Sequence, residues 1–152
     1  KVIKYDILAF VPGDADELEI NDTLVNALEF ADKDGKASAD AAAVVAAVAV
    51  KDSNDHKVNG TVAAAGESLG DKAAATVNGN ALAVKIADAK PYRGKYIQVT
   101  FYAKYTDETI KAAQVADAAT VTDNGAVLEG AAKHTGTTNE ASYKIKTGND
   151  WS

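Results

Sequence analysis

Tyr96-Ile97-Gln98-Val99-Thr100-Phe101-Tyr102-Ala103-Lys104-Tyr105 decides the fold. Ile97, Val99, Phe101, Ala103 and Tyr105 fall on one phase of a two-residue period, and Tyr96, Gln98, Thr100, Tyr102 and Lys104 on the other. Successive side chains of an extended chain point to opposite faces, so this alternation predicts a long strand with one face against a core. The β-branched and aromatic content favours the same state.

The pattern repeats on both sides of that segment. Ile3, Tyr5, Ile7, Ala9 and Val11 alternate with Lys4, Asp6, Leu8 and Phe10, giving a strand with one strongly apolar face and a mixed second face. Pro12-Gly13-Asp14 ends it, and Leu18 and Ile20 begin a second short strand before a turn at Asp22-Thr23-Leu24. Leu24, Leu28 and Phe30 add core side chains. Val44, Ala46, Val48 and Val50 resume period two, as do Leu82, Val84 and Ile86, and finally Ala141, Tyr143 and Ile145. Turns are expected at Asp52-Ser53-Asn54-Asp55, Asn59-Gly60, Asn78-Gly79-Asn80, Pro91-Gly94 and Gly148-Asn149-Asp150. Ala118 to Val121 and Ala126 to Leu128 are weaker strand candidates.

Helix is expected to be sparse. Alanine favours one or two helical turns within Ala31–Ala43. Thr106-Asp107-Glu108 can cap a short helix through Ala113. Ala63–Ala75 reads as loop. Short strands, frequent turns and no long amphipathic helix predict one all-β sandwich domain over residues 1–152.

Composition narrows the function. The chain has 152 residues, no cysteine, and a net charge of −6 with dispersed acids. The missing thiols exclude disulfides, C-x-x-C redox motifs and cysteine nucleophiles. With no basic cluster, neither nucleic acid nor an anionic membrane is an expected partner. The apolar run Ala41–Val50 is too short to span a bilayer as a helix. Neither end shows a signal peptide or anchor, so the chain reads as a processed piece of a larger protein. His56 and His134 sit in polar, loop-like stretches, and no metal or cofactor is expected. Asp14–Asp16 and Asp52–Asp55 lack EF-hand spacing, and Asp14, Asp16 and Glu17 have no partner base for hydrolysis.

Three polar residues fall on apolar phases. Asp22 continues Leu18 and Ile20, Asn139 continues Ala141, Tyr143 and Ile145, and Lys1 continues Ile3, Tyr5 and Ile7. A carboxylate, an amide and an amine are each costly to bury alone, and together they can satisfy one another. They can also react. A desolvated lysine loses its proton readily, and a carboxyl kept protonated by burial can hydrogen-bond the amide carbonyl. Attack of the amine on the Asn side-chain carbon, with loss of ammonia, gives an intramolecular isopeptide bond. The plainer reading also stands at this point: Asp22 caps the Thr23-Leu24 turn, and Asn139 makes an ordinary turn contact.

Three runs carry a family resemblance. They are Lys4-Tyr5-Asp6-Ile7-Leu8-Ala9-Phe10-Val11-Pro12 with Leu18-Glu19-Ile20-Asn21-Asp22-Thr23-Leu24 and Leu28-Glu29-Phe30; Arg93 to Lys104; and Thr138-Asn139-Glu140-Ala141-Ser142-Tyr143-Lys144-Ile145. In this order they resemble isopeptide-forming domains of Gram-positive fimbrial proteins and adhesins, CnaA-type pilin domains and antigen I/II C-terminal domains among them. The alanine-rich middle matches nothing sharply. The resemblance implies an immunoglobulin-like sandwich (CnaA or DEv-IgG-like) with one or two short helices in crossover loops. It implies Asn139 as the isopeptide acceptor and Asp22 as the assisting acid. Lys1 has the donor's phase; the alternative is a donor upstream of this sequence. The implied role is an extracellular stalk or adhesin module attached to the cell wall, with neighbouring domains of the same protein as partners and no turnover beyond one self-modifying event.

The alternative is a ligand-binding adhesin module. Tyr92, Tyr96 and Tyr102 are then the expected contacts for a host protein or glycan. The plainer reading, which weighs more, puts these tyrosines on a strand's solvent face or packed beneath a loop.

Overall fold

A computed structural model describes residues 2–24, 26–51, 57–58, 61–62, 66–107, 132–135 and 140–147. At 57–58, 61–62, 132–135 and 140–147 the description covers the backbone and its pairing. The strands are β1 (Val2–Phe10), β2 (Ala15–Thr23), β3 (Leu28–Phe30), β4 (Val45–Lys51), β5 (Lys57–Val58), β6 (Thr61–Val62), β7 (Ala74–Asn78), β8 (Ala81–Ile86), β9 (Tyr96–Tyr105), β10 (Ala132–Thr135) and β11 (Glu140–Thr147). One short helix, α1 (Ala41–Val44), precedes β4.

The described strands form two antiparallel sheets and a small hairpin. Sheet A runs β10-β1-β9-β3, with β4 also on β9; sheet B runs β11-β2-β8-β7; β5 pairs β6. β9 is central because its sequence alternates without a break for its full length. It pairs β1 from Tyr96↔Phe10 to Lys104↔Val2. On its other edge β3 takes the stretch Ala103–Tyr105 and β4 the stretch Tyr96–Phe101.

The inner faces make the core. Tyr5, Ile7, Ala9 and Val11 from the first strand region meet Leu18, Ile20, Leu82, Val84 and Ile86 of sheet B, all buried. Ile97, Val99, Phe101 and Ala103 share the inner side of sheet A and are each 0% exposed. Phe101 anchors an aromatic group, stacked on Tyr5 at 5.3 Å and edge-on to Phe30 at 5.9 Å. Each large side chain buried this way contributes about 1.5–3 kcal/mol.

Local chemistry ends the elements where expected. Asp40 caps α1, its Oδ1 accepting from the Ala42 amide at 3.1 Å, and β-branched Val44 and Val45 turn the chain into β4. The β7–β8 hairpin turns at Gly79 with φ 58°, a left-handed conformation that glycine adopts without strain.

Several expectations are corrected. His134 lies in β10 and pairs with Ile7, so it is not in a loop; the loop-like polarity of its neighbours conceals a short strand. Ala63–Ala75 is not all loop: Gly70–Lys72 makes a 3-10 turn and Ala74 starts β7. Asp22-Thr23 is the end of β2, not a turn. In β4 the buried residues are Ala49 and Lys51, on the phase opposite to Val48 and Val50, which pack on the core half-buried. The expected turns at 52–55 and 59–60, the helix over 108–113, the strands within 118–128 and the end at 148–150 lie outside the described residues, as do His56, Lys1 and Asn139.

Candidate functional site

Strand directions place the sequence-flagged residues. β2 ends at Thr23, and five residues later β3 begins at Leu28, opposite Tyr105 at the end of β9. Tyr105 and Lys104 also mark the end of the sandwich where β1 begins at Val2. Leu24 N donates to Asn80 O at 2.8 Å, extending the β2–β8 pairing of sheet B, and Thr106 N to Ala27 O at 3.0 Å, extending the β3–β9 pairing of sheet A. β11 also begins at this proximal end, with Glu140 opposite Thr23.

Asp22 sits at this end and is 1% exposed. It shares the core side of β2 with Leu18 and Ile20, between Leu82 of β8 and Ala141 of β11 in the ladder. On the core side beside Leu82, this carboxyl is withdrawn from water. Lys1 and Asn139 are outside the described residues. Their sequence neighbours Val2 and Glu140 begin β1 and β11 at the same end as Asp22.

A second polar group was not singled out by sequence. Asp6 is 3% exposed and accepts from Gln98 Nε2 at 2.9 Å and from Thr100 Oγ1. By alternation these residues lie on the face of sheet A turned away from sheet B. Leu8, Ala49 and Lys51 share that face and are also buried. Gln98 Oε1 accepts no hydrogen bond among the described residues. The available signal was Leu8 and Phe10 in phase with Asp6: a strand apolar on both faces is covered on both faces.

At the distal end, Arg93 donates from Nε to Ala15 O at 2.8 Å and pairs with Asp16 at 2.7 Å. Lys90 stands 4.0 Å from the same Asp16 and 3.9 Å from Asp88, a network on the surface. Tyr92, Tyr96 and Tyr102 are half-buried, not exposed, and Tyr96 packs its ring on Phe10 at 5.2 Å. They form no shared patch: the Tyr96 and Tyr102 side chains stand on the outer face, whereas Tyr92 packs against the core.

Among the described residues no group of three His, Cys, Asp or Glu side chains could hold a metal ion. No helix among them is long and apolar enough to cross a membrane. Comparison with protein-family models, with curated proteins and with solved structures finds no match for the chain. The fold and site together define the class: an all-β sandwich of two antiparallel sheets, with a buried carboxyl at the end where its first and last strands begin.

Proposed function

We propose that this domain is a stalk or adhesin module of a Gram-positive cell-surface or fimbrial protein, built as an immunoglobulin-like sandwich of the CnaA type. A self-formed isopeptide bond from Lys1 to Asn139 joins its first strand to its last, with Asp22 as the assisting acid. The supporting observation is Asp22 itself, a carboxyl only 1% exposed, in register with Ala141 two residues after Asn139. Burying a carboxyl on the apolar side of a strand is costly, and a part in joining an amine to an amide would give the position a chemical reason.

The chemistry is a single acyl transfer. The Lys1 amine adds to the Asn139 carboxamide carbon, the Asp22 carboxyl protonates the carbonyl oxygen and relays the proton, and ammonia departs. The bond ties the sheets together in a chain that has no cysteine. Loss of ammonia lowers the intact mass by roughly 17 Da, as any amide-to-amide acyl transfer requires. Mass spectrometry of the folded chain is expected to show that deficit, with one cross-linked peptide containing Lys1 and Asn139. Asp22→Ala is expected to restore the full mass. A full mass in folded chain with Asp22 intact removes the bond from the proposal.

A further inference from the structure

The ladders fix how the sandwich carries tension. β1 starts at the proximal end and runs to the distal end, where Phe10 pairs with Tyr96. β11 also starts at the proximal end and runs to the distal end, where Thr147 pairs with Ala15. The first and last strands therefore run in the same direction in opposite sheets. A pull on the two chain ends draws β1 and β11 lengthwise past their neighbours. Antiparallel ladder bonds lie perpendicular to the strands, so a lengthwise pull loads every pair at once, whereas a pull that separates adjacent strand ends breaks pairs one by one.

The two strands are not held equally. β1 is flanked on both sides, by β9 along its whole length and by β10 from Asp6 to Ala9. Among the described strands β11 is at the edge of sheet B and pairs β2 alone. Its ladder is also irregular between Lys146 and Thr147, at the end where tension enters from the C-terminal side. We infer that the β2–β11 ladder is the mechanical seam of this domain, yielding in shear before β1 leaves sheet A. The relevance of that seam to the protein's work rests on the stalk reading above; the mechanics of the fold do not.

Single-molecule pulling tests it, in an Asn139→Ala background so that no Lys1–Asn139 bond bypasses the ladders. Handles at the two chain ends are expected to give a rupture force roughly twofold or more above that for handles at the N-terminus and an exposed Thr106→Cys, since forced unfolding follows the barrier met along the pulling direction. Val2 and Thr106 lie at the same proximal end, so this pull peels β1 from β9. The cysteine-free chain allows specific locks. An Asn21→Cys/Ser142→Cys disulfide, across paired positions of β2 and β11, is expected to raise the first rupture force. A Lys4→Cys/Tyr102→Cys disulfide, across β1 and β9, is expected to leave it unchanged. Equal forces in the two pulling directions, or a rise with the second lock and not the first, overturns the inference. Because the measurement is made on chain lacking the acceptor, its failure leaves the isopeptide bond standing, and a full wild-type mass leaves the seam standing.

Discussion

Gln98 Nε2 donates to the Asp6 carboxylate at 2.9 Å across the β1–β9 ladder, joining residues 92 positions apart on the outer side of sheet A. Thr100 donates to the same oxygen, so one carboxylate satisfies two buried donors. Asp6→Ala strands both and is expected to destabilise the domain by about 1–3 kcal/mol. A lower urea midpoint at unchanged m-value is the reading. Asp6→Asn keeps one acceptor and is expected to cost less.

Phe101 stands between Tyr5 and Phe30, ring to ring, with no exposed surface. Phe101→Ala leaves a cavity at the centre of sheet A, where strands on both sides hold the walls apart. The expected loss is about 3–5 kcal/mol, seen in chemical denaturation. Phe101→Leu fills most of that space and should lose less than half as much.

The Arg93 guanidinium binds a backbone carbonyl and a carboxylate at once, through Ala15 O and Asp16 Oδ1. Both partners open β2 at the distal end. The site is partly solvated, which screens the ion pair, so Arg93→Ala is expected to cost about 1 kcal/mol, chiefly through the Ala15 bond. Arg93→Lys cannot fork between the two acceptors and is expected to recover little. Denaturant midpoints of the three chains at low and high salt separate the charge from the hydrogen bond.

Asp32 closes a tight turn, its Oδ1 accepting from the Lys36 and Asp34 amides at 2.9 Å each. The Lys36 amide bond is the largest cause holding its carboxyl below the ordinary 3.8; desolvation opposes it, and the Asp34 amide and the Lys36 charge add to the lowering. A carboxyl with a depressed folded pKa stabilises the fold above its unfolded value, and that contribution is lost as pH falls through the folded pKa. Carboxyl-detected NMR is expected to give a midpoint below 3.8 for Asp32. The Asp34 and Lys36 amide shifts should move with that midpoint, and Asp32→Asn should remove the transition from both.

Much of the sandwich could be read from period two. β1, β8, β9 and β11 stand where alternation placed them; β1, β8 and β9 each have one face on the core, and the pattern records that face. β4 was harder: alanine carries little preference between faces, and the bulge between Val45 and Ala47 shifts the phase midway. β10 was missed because four residues within polar sequence leave too short a pattern. For the site, phase identified Asp22 as inward-facing and could not identify Asp6, since a polar residue on the outer side of a sheet reads as solvated unless both faces are known to be covered.

β3 and β4 lie end to end along one edge of β9, each closing part of it. The excursion between them, Ala31 to Val44, therefore leaves and rejoins the same edge; its two ends are buried, and residues 32–43 between them are partly or fully exposed. Lengthening such a segment adds only about 0.6 kcal/mol of closure entropy per doubling. This makes the break in that edge a natural grafting point. A peptide epitope or a small reporter domain inserted near Gly35, in the turn before α1, should leave the pairing of both strands with β9 undisturbed.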